Sequence, residues 1–180
     1  MNQKHASIYL VGMMGSGKST IGKVLARSLN MPFMDLDHQI ESKCGVKIPL
    51  IFEIEGEEGF RKREAQVLEE VTRQTGIVMA TGGGAILQEH NRALLRERGI
   101  VVYLKASVEE LYRRTCRDRN RPLLATQDPK ARLREILADR EALYDEVADI
   151  IMETSSSTVT SVAHKLIERI NQYRDFQCTS

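Results

Sequence analysis

Gly12-Met-Met-Gly15-Ser16-Gly17-Lys18-Ser19 satisfies G-x-x-x-x-G-K-[ST] at every fixed position. Before it, Ile8-Tyr9-Leu10-Val11 is apolar and β-branched enough for a buried strand. After it, Ile21, Val24, Leu25 and Leu29 recur at the period of an amphipathic helix. Strand, glycine loop and helix in that order make a cradle for phosphate, and the chain is expected to bind a nucleoside triphosphate. Glycines let successive backbone N–H groups turn inward, and the helix dipole adds partial positive charge. Gly15, Ser16, Gly17, Lys18, Ser19 and Thr20 are the expected nucleotide-binding residues, with Lys18 on the β and γ oxygens and the Ser19 hydroxyl left for Mg²⁺.

Working outward, short apolar runs recur at Phe33 to Asp35, Ile77 to Ala80, Ile100 to Leu104 and Asp149 to Met152. Amphipathic stretches separate them at Lys18 to Leu29, Arg61 to Gln74, Gln88 to Arg98, Val108 to Arg117, Pro129 to Tyr144 and Thr160 to Tyr173. Such alternation specifies an α/β fold, a parallel sheet of five strands with helices on both faces. Ligands of these sheets collect beyond the carboxyl ends of the strands. The unusual residues fall there: the glycine loop after the first run, Asp35 and Asp37 after the second, Gly82-Gly83-Gly84 after the third.

The chain has 180 residues, enough for one well-packed core, so residues 1–180 are expected to form a single domain. Two segments interrupt its pattern. Residues 37–60 carry a weak helical pattern, Pro49 at a helix first turn and an acidic run ending at Gly59. Residues 113–128 read as a lid over a regular core of 7–36, 60–112 and 129–174. Ser155 to Thr158 is a polar connector that caps the last helix, and 175–180 is expected to be a frayed, disordered tail. With 26 basic and 25 acidic side chains, the balance excludes a dedicated nucleic-acid binder. Cys44, Cys116 and Cys178 are far apart, with neither zinc spacing nor an even count for disulfides. No apolar run approaches a membrane span. A soluble cytoplasmic protein is expected.

Asp35 and Asp37 occupy alternate positions, so in an extended strand end both carboxylates point the same way. Phosphoryl transfer uses two such groups, one near Mg²⁺ and one to accept a proton from, or orient, the attacking hydroxyl. Either also suits the N-cap of a helix starting near His38, Asp37 more than Asp35. Phe60-Arg61-Lys62-Arg63-Glu64 places three cations at a predicted helix N-terminus, where the dipole disfavours them unless an anion compensates. Arg61 can clamp a carboxylate through two parallel bonds, with Glu64 fixing its orientation. Solvated helix charges are the plainer alternative. Three consecutive glycines after Thr81 let a small polar substrate or the γ-phosphate approach the backbone, a mere flexible corner being the alternative. Arg113, Arg114, Arg117, Arg119 and Arg121 crowd nine residues, a density that suits ATP, with one arginine moving in on transition-state charge. An RNA patch would interleave aromatics for stacking, and none occur there. A solvated helix end is the other alternative.

Taken in order, GMMGSGKST at Gly12 to Thr20, D-x-D at Asp35 and Asp37, G-E-x-x-F-R-x-x-E from Gly56 to Glu64, TGGG at Thr81 to Gly84, RPLL at Arg121 to Leu124 and R-x-x-L-Y at Arg140 to Tyr144 resemble the shikimate kinases over about residues 7 to 170. These are small P-loop kinases related to the nucleoside monophosphate kinases. The resemblance implies a three-layer α/β/α sandwich with strand order 2-3-1-4-5, and ATP-dependent phosphorylation of the 3-hydroxyl of shikimate in aromatic amino-acid biosynthesis. By the same token Ser19 and Asp35 serve the metal, and Asp37 contacts the hydroxyls and acts as base. Gly82 to Gly84, Arg61 and Arg140 hold shikimate, the two arginines pairing with its carboxylate. Lys18 and the lid arginine Arg121 complete the catalytic set, and Arg114 lies against adenine. Shikimate and ATP are the implied partners of a monomer, and 37–60 is the acceptor-binding insertion. Ala142 stands where members often carry Pro. A gluconate kinase is the nearest alternative, and a non-catalytic binding protein on this fold is the alternative from another class.

Overall fold

A computed structural model describes residues 6–116, 122–154 and 157–179. Its elements, in chain order, are β1 (Ser7–Val11), α1 (Lys18–Ser28), β2 (Phe33–Asp35), α2 (Leu36–Cys44), α3 (Ile48–Val71), β3 (Val78–Ala80), α4 (Glu89–Arg98), β4 (Gly99–Lys105), α5 (Val108–Thr115), α6 (Pro129–Val147), β5 (Ile150–Glu153) and α7 (Val159–Thr179). The five strands form one parallel sheet ordered β2-β3-β1-β4-β5. Strand β1 lies at its centre, with Ile8 opposite both Val78 and Ile100. Every residue of β1 is buried, as expected of a strand covered on both faces.

Side-chain alternation divides the core into two layers. Ile8, Leu10, Val78, Ile100, Val102 and Leu104 face α1 and α7, meeting Ile21, Leu25, Val162, Leu166 and Ile170. Tyr9, Val11, Met79, Val101 and Tyr103 face the other way, onto residues of α2, α3, α4, α5 and α6. This is the expected three-layer sandwich. Burial on both faces holds the sheet rigid and leaves the loops at the carboxyl ends of β1, β2 and β3 on one common edge.

Two boundaries differ from the sequence expectation. The predicted helix at Arg61 to Gln74 begins about one turn earlier: α3 (Ile48–Val71) is two helical segments joined by a kink at Gly56, whose φ of 69° and ψ of −175° only glycine adopts readily, and the second segment starts after it. No atom lies within 4 Å of a Cβ built there, so backbone conformation alone calls for glycine. Arg61, Lys62 and Arg63 therefore follow a first turn that holds Glu57 and Glu58, and carboxylates there offset the dipole mismatch inferred from sequence. Each is also matched locally, Arg61 by Glu57 and Glu64, Lys62 by Glu58 and Arg63 by Glu55. At the other end, α7 continues to Thr179 through the stretch expected to fray. Gln177 Nε2 donates to Tyr173 Oη across one turn, 2.7 Å, a bond that supports a helix end lacking an apolar period. Thr158 Oγ1 accepts from Ser161 N, 3.2 Å, supplying the capping expected of the connector.

Candidate active site

The phosphate loop connects β1 to α1. Gly15 (φ 81°) and Gly17 (φ 97°, the N-cap of α1) take left-handed conformations, which turn the backbone around the start of the helix. Gly15 is also required sterically, because a Cβ there would lie 2.6 Å from Thr115 Cγ2 at the end of α5. Lys18 lies back across the loop, its ammonium donating to the carbonyls of Gly12 (2.7 Å) and Met13 (2.8 Å). Gly15, Gly17, Lys18, Ser19, Thr20, Thr81, Gly83 and Arg114 border a cavity of about 370 Å³ above the loop. Ser16 is buried with its loop. The Arg114 guanidinium donates to Glu110 and to the carbonyls of Gly15 (3.2 Å) and Thr154 (3.1 Å), so it fastens α5 to the phosphate loop. Arg113 pairs with the same Glu110 from a largely exposed position and does not line the cavity. Arg117, Arg119 and Arg121 lie outside the described residues.

A second cavity, of about 580 Å³, opens on the side of α2 and α3. Arg61, Glu64, Gly82, Gly83, Gly84 and Arg140 line it, with Phe52, Phe60 and Leu123 as an apolar wall. The two cavities share Met14, Ser19, Asp35, Asp37 and Gly83. One hydroxyl, two carboxylates and a glycine backbone therefore stand where the spaces join.

Asp35 ends β2 and Asp37 lies in the first turn of α2, so the two do not share the extended strand inferred from their spacing. It is Asp35 that caps the helix, its Oδ1 accepting from the backbone N–H groups of Asp37 (3.1 Å) and His38 (3.4 Å), where the sequence favoured Asp37 as the cap. The helix starts earlier than supposed, at Leu36, and the last strand residue is then the N-cap. Asp35 Oδ2 accepts from Ser19 Oγ at 2.5 Å. A hydroxyl and a carboxylate held this close are hard oxygen donors of the kind Mg²⁺ takes, the ion drawing its other ligands from phosphate and water. Among the described residues no cluster of three or more His, Cys, Asp or Glu offers a cage built from protein alone.

Arg61 is 9% exposed and donates through Nη1 to Glu64 (2.7 Å) and through Nη2 to Glu57 (3.0 Å). Burial pulls its pKa down, but the two carboxylates outweigh burial and leave it raised. Glu64 has no exposed surface; burial pushes its carboxyl above the ordinary range, with the Arg61 guanidinium opposing and Asp37 adding to the rise. Three buried polar atoms here, Arg61 Nε, Glu64 Oε1 and Arg140 Nη1, have no hydrogen-bond partner in the structure. Buried polar groups of this kind are ordinarily satisfied, and all three belong to residues that line the larger cavity.

The glycines after β3 serve packing as well as access. A Cβ at Gly82 would lie 2.5 Å from Glu64 Oε1 and 3.1 Å from Asp37 Oδ1, and one at Gly84 would run into the Arg61 guanidinium. Two of the three thus make room for charged side chains, where the sequence suggested room for a ligand. Sequence reasoning passed over Glu57, which shares Arg61 at the i, i+4 spacing of a helical ion pair, and gave no role to Tyr144, which donates to Gly83 O. The first was discoverable from spacing; the second stood only as the last position of the R-x-x-L-Y motif, with no role attached.

A family model described as shikimate kinase matches residues 14–171. A protein named shikimate kinase from Bordetella avium is 58% identical over 166 residues, 92% of this chain and 79% of the relative. The solved structure of shikimate kinase from Acinetobacter baumannii in complex with shikimate superimposes with a TM-score of 0.92 at 49% identity, covering 94% of this chain and 95% of that one. A gluconokinase from Sinorhizobium meliloti reaches a TM-score of 0.57 at 18% identity, a likeness of fold alone. No described helix is long and apolar enough to cross a membrane. The phosphate loop, the carboxylates where two cavities join and these likenesses over nearly the whole chain lead to one conclusion: the chain belongs to the shikimate kinase family.

Proposed function

We propose that the chain transfers the γ-phosphoryl group of Mg²⁺-ATP to the 3-hydroxyl of shikimate, giving shikimate 3-phosphate and ADP. The observation that carries this reading is the junction of a phosphate-side cavity and an arginine-lined cavity at Ser19, Asp35 and Asp37. The loop N–H groups and Lys18 hold the triphosphate, with Arg114 at the adenine side. Ser19 and Asp35 would hold Mg²⁺, which neutralises charge on the β and γ oxygens when bound. Arg61 and Arg140 pair with the shikimate carboxylate, each having a buried nitrogen unspent on protein acceptors. Asp37 orients the 3-hydroxyl and takes its proton as the oxygen bonds to the γ-phosphorus and the bond to the ADP oxygen breaks. The role of Arg121, closing on ATP from the lid, rests on family resemblance. We assign the enzyme to the cytoplasm, in keeping with the free thiols of Cys44 and Cys116.

The test is product analysis. Incubation with Mg²⁺-ATP and shikimate is expected to yield a phosphate monoester whose phosphorus couples to the proton on carbon 3, seen by ³¹P NMR. A monoester at another hydroxyl, or inorganic phosphate alone, would overturn the assignment.

A further inference from the structure

Helix α6 carries Arg140 and Tyr144 one turn apart. Arg140 lines the acceptor cavity, and Tyr144, with no exposed surface, lies against the glycine loop. The Tyr144 hydroxyl donates to Gly83 O at 2.5 Å, tying α6 to the segment that follows β3. Its ring stacks on Tyr103 of β4 with centroids 4.9 Å apart and planes 21° apart. That stack anchors the phenol to the rigid sheet, so the hydroxyl acts as a fixed post. Burial pushes its pKa up to about 12 although Arg140 opposes the rise, and the group stays a donor at neutral pH.

Gly83 borders both cavities, and a Cβ built on it would lie 3.8 Å from Arg140 Nη1, one of the buried nitrogens without a partner. The guanidinium and the glycine backbone are thus neighbours in one wall, on elements far apart in sequence. Among the described hydrogen bonds, the one from Tyr144 joins these two elements directly beside Arg140.

We propose that Tyr144 is a positioning residue for the acceptor: by holding the carbonyl of Gly83 it sets the spacing between the glycine loop and the Arg140 guanidinium that an acceptor carboxylate needs. The proposal rests on the reading of the larger cavity as the shikimate site. It goes beyond packing, because a hydroxyl that only filled the core would act on both substrates alike.

Tyr144→Phe keeps the ring and its stack and removes the bond to Gly83 together with the hydroxyl's interaction with Arg140. With these lost, the KM for shikimate is expected to rise roughly tenfold while kcat and the KM for ATP stay unchanged. In a cycle with Arg140→Lys, the double variant should show no higher KM for shikimate than Arg140→Lys alone, because Tyr144 acts through Arg140. An unchanged KM for shikimate, a parallel rise in both KM values, additive effects in the cycle, or a Tyr144→Phe chain that does not fold would each overturn the proposal. The unsubstituted enzyme separates the two levels. If it fails to turn over shikimate, the functional reading falls and the proposal with it; if it turns over shikimate, any of those outcomes counts against Tyr144 alone.

Discussion

The two halves of the crevice are built by opposite means. On the phosphate side, one contiguous segment, residues 12–20, supplies the cradle, and its working groups are backbone N–H groups and a lysine folded over its own loop carbonyls. On the acceptor side, α2, α3 and α6 contribute side chains and the loop after β3 a glycine backbone, and the charges hold one another: Arg61 between Glu57 and Glu64, with Glu64 beside Asp37. A generic ligand, triphosphate, is met by a generic local structure. A particular small molecule is met by a constellation that exists only once the sheet has brought four segments together.

The contrast predicts that acceptor-side substitutions separate chemistry, acceptor affinity and metal dependence. The largest effect is expected from Asp37→Asn, which should lower kcat by about a thousandfold while ATP affinity by calorimetry stays near normal. A kcat within about tenfold of the parent would remove the base or orienting role. Next comes Arg61→Lys, which keeps the charge but loses the fork that reaches Glu57, Glu64 and the ligand; the KM for shikimate should rise about thirtyfold with little change in the KM for ATP. An unaltered KM would take Arg61 out of the acceptor site.

A smaller, sharper effect is expected at the boundary between the halves. Asp35 has two tasks, capping α2 through Oδ1 and meeting Ser19 through Oδ2. Asparagine caps a helix as well as aspartate does, so Asp35→Asn should melt like the parent. Its Mg²⁺ concentration for half-maximal activity should nevertheless rise about tenfold. A lowered melting temperature with unaltered Mg²⁺ dependence would make Asp35 a cap only. The smallest effect belongs to Glu55→Gln. The Glu55–Arg63 pair is bidentate but lies at the surface, and screening by solvent should leave thermal stability and both KM values unchanged. A marked rise in the KM for shikimate would show instead that the bend at Gly56 is held by this pair.

The same contrast explains what could be read from sequence. Hydrophobic period and punctuation specify a parallel sheet with its loops on one edge, because strand burial and helix amphipathicity leave local marks. The phosphate loop is local too, and Gly12 to Ser19 declares its chemistry without help. The acceptor side does not. Arg140 does not differ in sequence from a solvated helix residue, and only its resemblance to a family motif singled it out. The helix start misled, since the second segment of α3 opens after the kink at Gly56, one turn before Arg61. That error moved the cations to a false N-terminus, so the right residue, Arg61, was reached through a wrong physical reason. Tyr144 was marked as a motif position, but its role stayed hidden because its partner, Gly83, lies 61 positions away.

The most direct measurement is a coupled ADP-release assay with Mg²⁺-ATP and a panel of shikimate, quinate, gluconate and nucleoside monophosphates, with Lys18→Ala as the blank. The account predicts strong turnover with shikimate and none above the blank with the others. Turnover with gluconate or a nucleotide instead, or none with any acceptor while ATP still binds, would contradict it and leave only the phosphate half of the crevice explained.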